Sequence, residues 1–142
     1  MSYNLADLPH EQRQAIDDEN DPRYALAQIL KVAAMHRVTD TYGPIPYLSF
    51  GVENEVPYDS QKDVYYRFFE ELADAVETLA PYANAGETLF TEYDCVYRGD
   101  VTKWVKFANS LRLRLAMHLA YVDASKAQQE AEAALAAPLG VM

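Results

Sequence analysis

A chain of 142 residues, 50% hydrophobic and 12% aromatic, has the material for one domain with a core, or for part of a larger one. Its 12 Lys and Arg stand against 22 Asp and Glu, a formal charge of −10, and no basic cluster offsets this, which excludes nucleic-acid binding through phosphate contacts. The single cysteine, Cys95, excludes an internal disulfide and a multi-thiolate metal site, and no apolar run has the length of a membrane span.

Residues 1–20 read as a weakly structured segment. Within it Leu8 to Asn20 is polar and weakly periodic, fitting a short helix or an extended arm, and Met1 to Asp7 lacks the basic and apolar regions of a secretory signal. The helical region is 21–142. Asp21 is a good N-cap and Pro22 suits the first helical position. Leu26, Ile29, Leu30, Ala33, Ala34 and Val38 then recur at helical intervals, up to about Thr41, where Gly43 and Pro44 end the pattern. A loop braced by Pro44 and Pro46 extends to about Pro57.

Ser60 caps the next predicted helix, with Asp63 as a shorter stand-in for the usual Glu. Val64, Tyr65, Phe68, Phe69, Leu72, Val76 and Leu79 form its apolar face, and Glu70, Glu71, Asp74 and Glu77 its solvated face, with Pro81 near its end. A second long loop, 82–99, contains Thr88-Leu89-Phe90, a run that suits a short strand. Asp100 caps a third helix with two apolar stripes, one through Trp104, Ala108, Leu111, Leu115 and Leu119, the other through Leu113, Met117 and Ala120. Two stripes suit an inner helix of a stacked array. Asp123 caps a last helix, Ala124 to about Ala137, ended by Pro138 and Gly140. The fold class is therefore all-α: antiparallel helical pairs, tetratricopeptide-like in size, with two long loops, although the tetratricopeptide consensus and any internal repeat are absent.

Chemistry-bearing residues are sparse. His10, His36 and His118 lack the helical spacing of a metal pair, although Asp40 lies four residues beyond His36 and suits an imidazole–carboxylate contact. No serine sits in a nucleophile elbow and no glycine loop cradles phosphate, so neither a catalytic residue nor a cofactor is expected. The carboxylates at Glu70, Glu71, Asp74 and Glu77 read as a solvated face rather than a glycosidase pair. Cys95 reads as a structural or semi-exposed thiol. Asn109, Arg112 and Arg114 interrupt the apolar pattern of the Trp104 helix, so at least one is expected half-buried on a carboxylate or carbonyl partner. The 11 tyrosines concentrate in or beside the loops, among them Tyr42, Tyr47, Tyr58, Tyr82, Tyr93 and Tyr97. Such rings either stack on sugars or protein surfaces or pin the loops to the helices.

Three segments carry a resemblance. Gly99-Asp100, Lys103-Trp104 and Phe107-Ala108-Asn109-Ser110-Leu111-Arg112-Leu113-Arg114-Leu115-Ala116-Met117 resemble the G-D-x-x-K-W-x-x-F-A-N-S-L-R-L-R-L-A-M signature of the SusD/RagB-like nutrient-binding outer-membrane lipoproteins. Thr39-Asp40-Thr41-Tyr42-Gly43-Pro44-Ile45-Pro46-Tyr47 is similar to that family's T-D-x-Y-G-x-I-P-Y loop, and Tyr58-Asp59-Ser60-Gln61 to its Y-D-S-Q helix start. His118 stands where many relatives have Arg.

The resemblance implies a non-enzymatic, tetratricopeptide-like protein on the outer face of the outer membrane. It would bind oligosaccharide or another nutrient and lid a TonB-dependent receptor. Relatives are several times longer and carry a signal peptide and a lipid-accepting cysteine, so the chain reads as a fragment. A freestanding helical adaptor for a protein partner is the alternative. Within this chain Tyr42, Tyr47 and Tyr97 are the local candidates for glycan contact, and Trp104, Asn109, Arg112 and Arg114 are expected to be structural. A fragment of this kind is expected to self-associate through apolar surface near Leu113, Met117 and Ala120.

Overall fold

The computed structural model describes residues 21–49 and 55–142. Four helices follow in order: α1, Pro22–Tyr42; α2, Gln61–Asn84; α3, Val101–His118; and α4, Ala124–Ala136. The expected segment 1–20, with His10, lies outside the described residues. Each helix start is specified locally. Asp21, Ser60, Asp100 and Asp123 accept hydrogen bonds from the backbone N–H of Arg23, Asp63, Lys103 and Lys126, occupying donors that the first turn leaves free. Gly43 closes α1 with φ +75°. Pro81 is accommodated inside the last turn of α2, where its carbonyl accepts the Ala85 N–H at 3.1 Å.

Each helix packs on the next. Cross-links fix their directions: Lys31 reaches Glu71 while Asp40, further along α1, reaches the earlier Tyr65. Arg112 reaches Glu130 while the earlier Asn109 reaches the later Pro138. Both pairs, α1–α2 and α3–α4, are therefore antiparallel, and the fold is all-α as the periodicity implies. Ile29, Val32, Val64, Phe68, Leu72, Leu79, Val105 and Leu115 are fully buried in one core. Removing such a side chain from water is worth about 1.5–3 kcal/mol each.

α3 does pack on more than one side, but not through both apolar stripes. The stripe through Trp104, Ala108, Leu111 and Leu115 is buried, whereas Met117 is exposed and Leu113 and Ala120 are half-buried. The second packed side carries Asn109, Arg112 and Ala116, and it meets α4 and the residues after it. Small alanines together with polar groups that have partners make that contact, not the stripe through Leu113, Met117 and Ala120.

The loops are short-circuited by single bridges. Ile45 pairs with Asp59, and the Asp59 carboxylate accepts the N–H groups of Tyr47 and Leu48 at 2.9 and 2.7 Å. The expected strand at Thr88-Leu89-Phe90 reduces to one bridge, Thr88 to Asp100, because Phe90 turns into the left-handed region at φ 55°. Leu89 N–H donates to the Gly99 carbonyl at 2.9 Å, and Gly99 itself has φ +82°. A Cβ there would lie 2.6 Å from the Leu89 carbonyl oxygen. Gly99→Ala therefore combines an unfavourable backbone conformation with a backbone clash, and it is expected to cost about 2–5 kcal/mol. Urea unfolding followed by circular dichroism checks this; a loss under about 0.5 kcal/mol would mean that the loop does not approach Gly99 closely.

Candidate functional site

The candidate tyrosines divide by what their rings touch. Tyr42, the last residue of α1, is 77% exposed. Tyr47 is 8% exposed: its ring meets Phe68 edge-on at 5.1 Å, and its hydroxyl donates to Glu71 Oε2 at 2.6 Å. Burial, reinforced by the Glu71 carboxylate, raises the Tyr47 phenol far above its usual pKa. Tyr97 is half-buried, edge-on to the Trp104 indole at 5.0 Å.

Tyr97 and Trp104 are organised by Asp94. Asp94 Oδ1 accepts the N–H groups of Val96 and Tyr97, and Oδ2 accepts Gly99 N–H at 2.8 Å and the Trp104 indole N–H at 2.7 Å. Partial desolvation works against the charged carboxylate, but the indole donor and the Tyr97, Gly99 and Val96 amides outweigh it and carry the Asp94 pKa down to about 2. A depressed carboxyl stabilises the fold above its unfolded-state value of 3.8 and loses that contribution as pH falls towards 2. Trp104 emission is therefore expected to shift between these limits, and Asp94→Asn to flatten that window. An identical acid profile in the two proteins would disconnect Asp94 from the indole.

The polar residues of α3 are structural ties. Asn109, 1% exposed, donates from its amide nitrogen to the carbonyls of Pro138 and Gly140 at 3.1 and 2.8 Å. Arg112 donates to the buried Glu130 at 2.6 Å, and Lys126 reaches the same carboxylate at 2.8 Å. Arg114 is exposed and has no hydrogen-bond partner among the described residues. Cys95 is a free, exposed thiol.

Two sequence expectations need correcting. Glu71 does not belong to the solvated face of α2: it is 4% exposed and ties together Lys31, Tyr47 and Arg67. His36 does not pair with Asp40. It is buried, with Nδ1 3.1 Å from the Val32 carbonyl, so that ring nitrogen is engaged within its own helix.

Asp40 turns instead towards α2 and α3. It accepts the Tyr65 hydroxyl, and His118 Nδ1 lies 3.6 Å from its other oxygen and 3.2 Å from the Tyr65 oxygen. Burial, then the Asp40 contact, raises the Tyr65 phenol, so it remains a donor. This cluster forms part of the wall of a cleft of about 490 Å³ between the end of α1, the start of α2 and the end of α3. Gln61 and Lys62 line one side, and Leu119, Val122 and Asp123 the other. Tyr66 also faces the cleft, but Lys62 and Lys126 lie over its ring at 5.5 and 4.9 Å, and its hydroxyl donates to Asp123. Tyr42 and Tyr121 are exposed, and neither lines this cleft.

Antiparallel helical pairs joined by polar ties define a tetratricopeptide-like helical protein. The SusD-like family, described as SusD and RagB outer membrane lipoproteins, matches residues 4–142, and the chain belongs to that family. It is 49% identical to a SusD homologue from Bacteroides uniformis, covering 92% of this chain and 27% of that one with a TM-score of 0.82. It is also 49% identical to a chitin-binding SusD homologue from Flavobacterium johnsoniae, covering 86% of this chain and 26% of that one with a TM-score of 0.81. A homologue from Bacteroides vulgatus is 40% identical over 93% of this chain and 28% of its own, with a TM-score of 0.80. The chain thus spans about a quarter of the length of these solved structures. No curated protein sequence matches it.

Proposed function

We propose that the chain is a non-catalytic helical part of a cell-surface glycan-binding protein that works with a TonB-dependent outer-membrane transporter. The observation that carries this reading is the 49% identity, at a TM-score of 0.81, to a homologue that binds chitin. The family's description as outer membrane lipoproteins supports the cell-surface location of the parent. Direct ring contact with sugar is assigned to Tyr42, whose face is free. Tyr97 is a weaker candidate because Trp104 meets its ring, and Tyr47 has its ring in the core.

The reading is tested in two arms. A TonB-dependent transporter from the same organism is co-expressed with the parent and isolated by a tag on the transporter; the parent is expected to co-purify. The parent is also presented with chitin, starch and pectin beads, and retention on at least one is expected. A parent that neither co-purifies nor is retained on any polysaccharide would overturn the proposal, and co-purification of an unrelated soluble protein would favour an adaptor instead.

A further inference from the structure

We propose that residues 137–142, the segment after α4, are a strap that is clasped onto α3 by Asn109 and Ser110, is strained where it closes, and opens as one unit while the four helices stay folded. The strap operates whether or not the parent binds glycan.

The clasp is made by side chains of α3 on the backbone of the strap. Asn109 gives one amide hydrogen to the Pro138 carbonyl at 3.1 Å and the other to the Gly140 carbonyl at 2.8 Å. Both partners are acceptors, so only the NH2 end of the amide can face them. A side chain that is 1% exposed thus grips the strap at two points. Beside it, Ser110 Oγ accepts the Met142 N–H at 2.9 Å and donates its own proton to the Lys106 carbonyl at 2.8 Å. That second bond lies within α3, so α3 itself positions the acceptor. From the loop before α3, the Tyr97 hydroxyl donates to the Met142 sulfur at 3.5 Å.

The closed strap holds strain. Leu139 has φ 65° and Gly140 φ 68°, two consecutive left-handed residues spanned by a turn bond from the Gly140 N–H to the Ala137 carbonyl at 3.1 Å. Glycine adopts that region freely, whereas the Cβ of a leucine crowds the neighbouring carbonyl oxygen. Apolar anchoring is thin: Leu139 packs on the core but is only half-buried, and Pro138 and Met142 are exposed. α4 is held independently, because Glu130 accepts Arg112 at 2.6 Å and Ala127 and Ala134 are buried. A segment that stores strain, buries little and hangs on a few hydrogen bonds belongs to the low-stability end of a fold, where opening is local.

The same geometry makes the opening concerted. The two carbonyls gripped by Asn109 flank the left-handed pair, so releasing either lets the turn relax and withdraws the other. Met142 is two residues further on and leaves Ser110 and Tyr97 with it. Opening leaves two buried N–H groups of Asn109 without partners, which favours return to the closed state. Only the closed strap links the Tyr97 loop to the end of α4.

The test is hydrogen exchange on the 142-residue chain, labelled with nitrogen-15. The Gly140 and Met142 amides are expected to share one opening constant, insensitive to low urea and about a hundredfold or more above that of Leu72 and Leu79 in α2. Asn109→Ala leaves Ser110 and Tyr97 in place, yet it is expected to raise the opening constant of Met142 together with that of Gly140, by about tenfold. Ser110→Ala is the reciprocal variant and serves alone if Asn109→Ala does not fold: it removes the Met142 acceptor and is expected to speed Gly140 as well. Faster exchange confined to the amide nearest each substitution would show two separate contacts and overturn the strap. Exchange of both amides at the core constant would show that nothing opens locally, and exchange at the rate of an unstructured chain would show that nothing is clasped; either result overturns the proposal.

Discussion

Replacing Trp104 with Ala is expected to remove about 3–5 kcal/mol of stability, a large share of what a domain of this size has in total. Trp104 is 5% exposed and is the only tryptophan in the chain. Its indole stands edge-on to Tyr97 at 5.0 Å and to Phe107 at 5.8 Å, an arrangement in which ring edges meet ring faces. Truncation leaves a cavity, and it also removes the N–H that Asp94 Oδ2 accepts. Trp104→Phe separates these effects: most of the apolar volume remains, while the donor to a charged acceptor is lost, at a cost of about 1.5–3 kcal/mol. Urea unfolding followed by circular dichroism measures both. If Trp104→Ala lost less than about 1 kcal/mol, the indole would not be a core residue, and if Trp104→Phe matched wild type, its bond to Asp94 would carry no net stability.

The structure shows which physical information is local in sequence and which is not. The helix starts were legible because an N-cap acts on backbone groups two or three residues away; Asp21, Ser60, Asp100 and Asp123 all proved to be caps. The Asp94 turn is equally local, since its backbone donors at Val96, Tyr97 and Gly99 lie within five residues. The fates of the tyrosines are not local. Tyr47 is drawn into the core by Glu71, 24 residues on, and nothing beside Tyr42 does the same for its ring. The Asp40–Tyr65–His118 cluster spans separations of 25 and 53 residues, so it exists only once α1, α2 and α3 take their register. Tyr121 carried no motif and stands out only through its exposure. Glu71 is the intermediate case. Val64, Phe68, Glu71 and Ala75 follow the four- and three-residue spacing of a buried helical stripe, so its position pointed inward while its charge pointed outward.

That conflict makes Glu71 the second site where a large effect is expected. Its carboxylate accepts the Tyr47 hydroxyl at 2.6 Å and Lys31 Nζ at 2.9 Å, with Arg67 Nε at 3.4 Å, joining α1, α2 and the proline-braced loop. Glu71→Ala leaves the phenol of a residue that is 8% exposed without its acceptor and removes the common partner of two cations. Breaking a fully buried pair costs about 3–5 kcal/mol. Lys31 and Arg67 are 45% and 51% exposed on their side chains and can regain water, which brings the expected loss to about 2–4 kcal/mol. Tyr47→Phe removes only the hydroxyl and is expected to cost about 1–2 kcal/mol. In the double variant Tyr47→Phe/Glu71→Ala no orphaned phenol remains, so its loss is expected to fall short of the sum of the single losses by about 1 kcal/mol. Additive losses would mean that the phenol and the carboxylate stabilise the loop independently, and the tie between loop and helices would have to lie in the Tyr47–Phe68 ring contact instead.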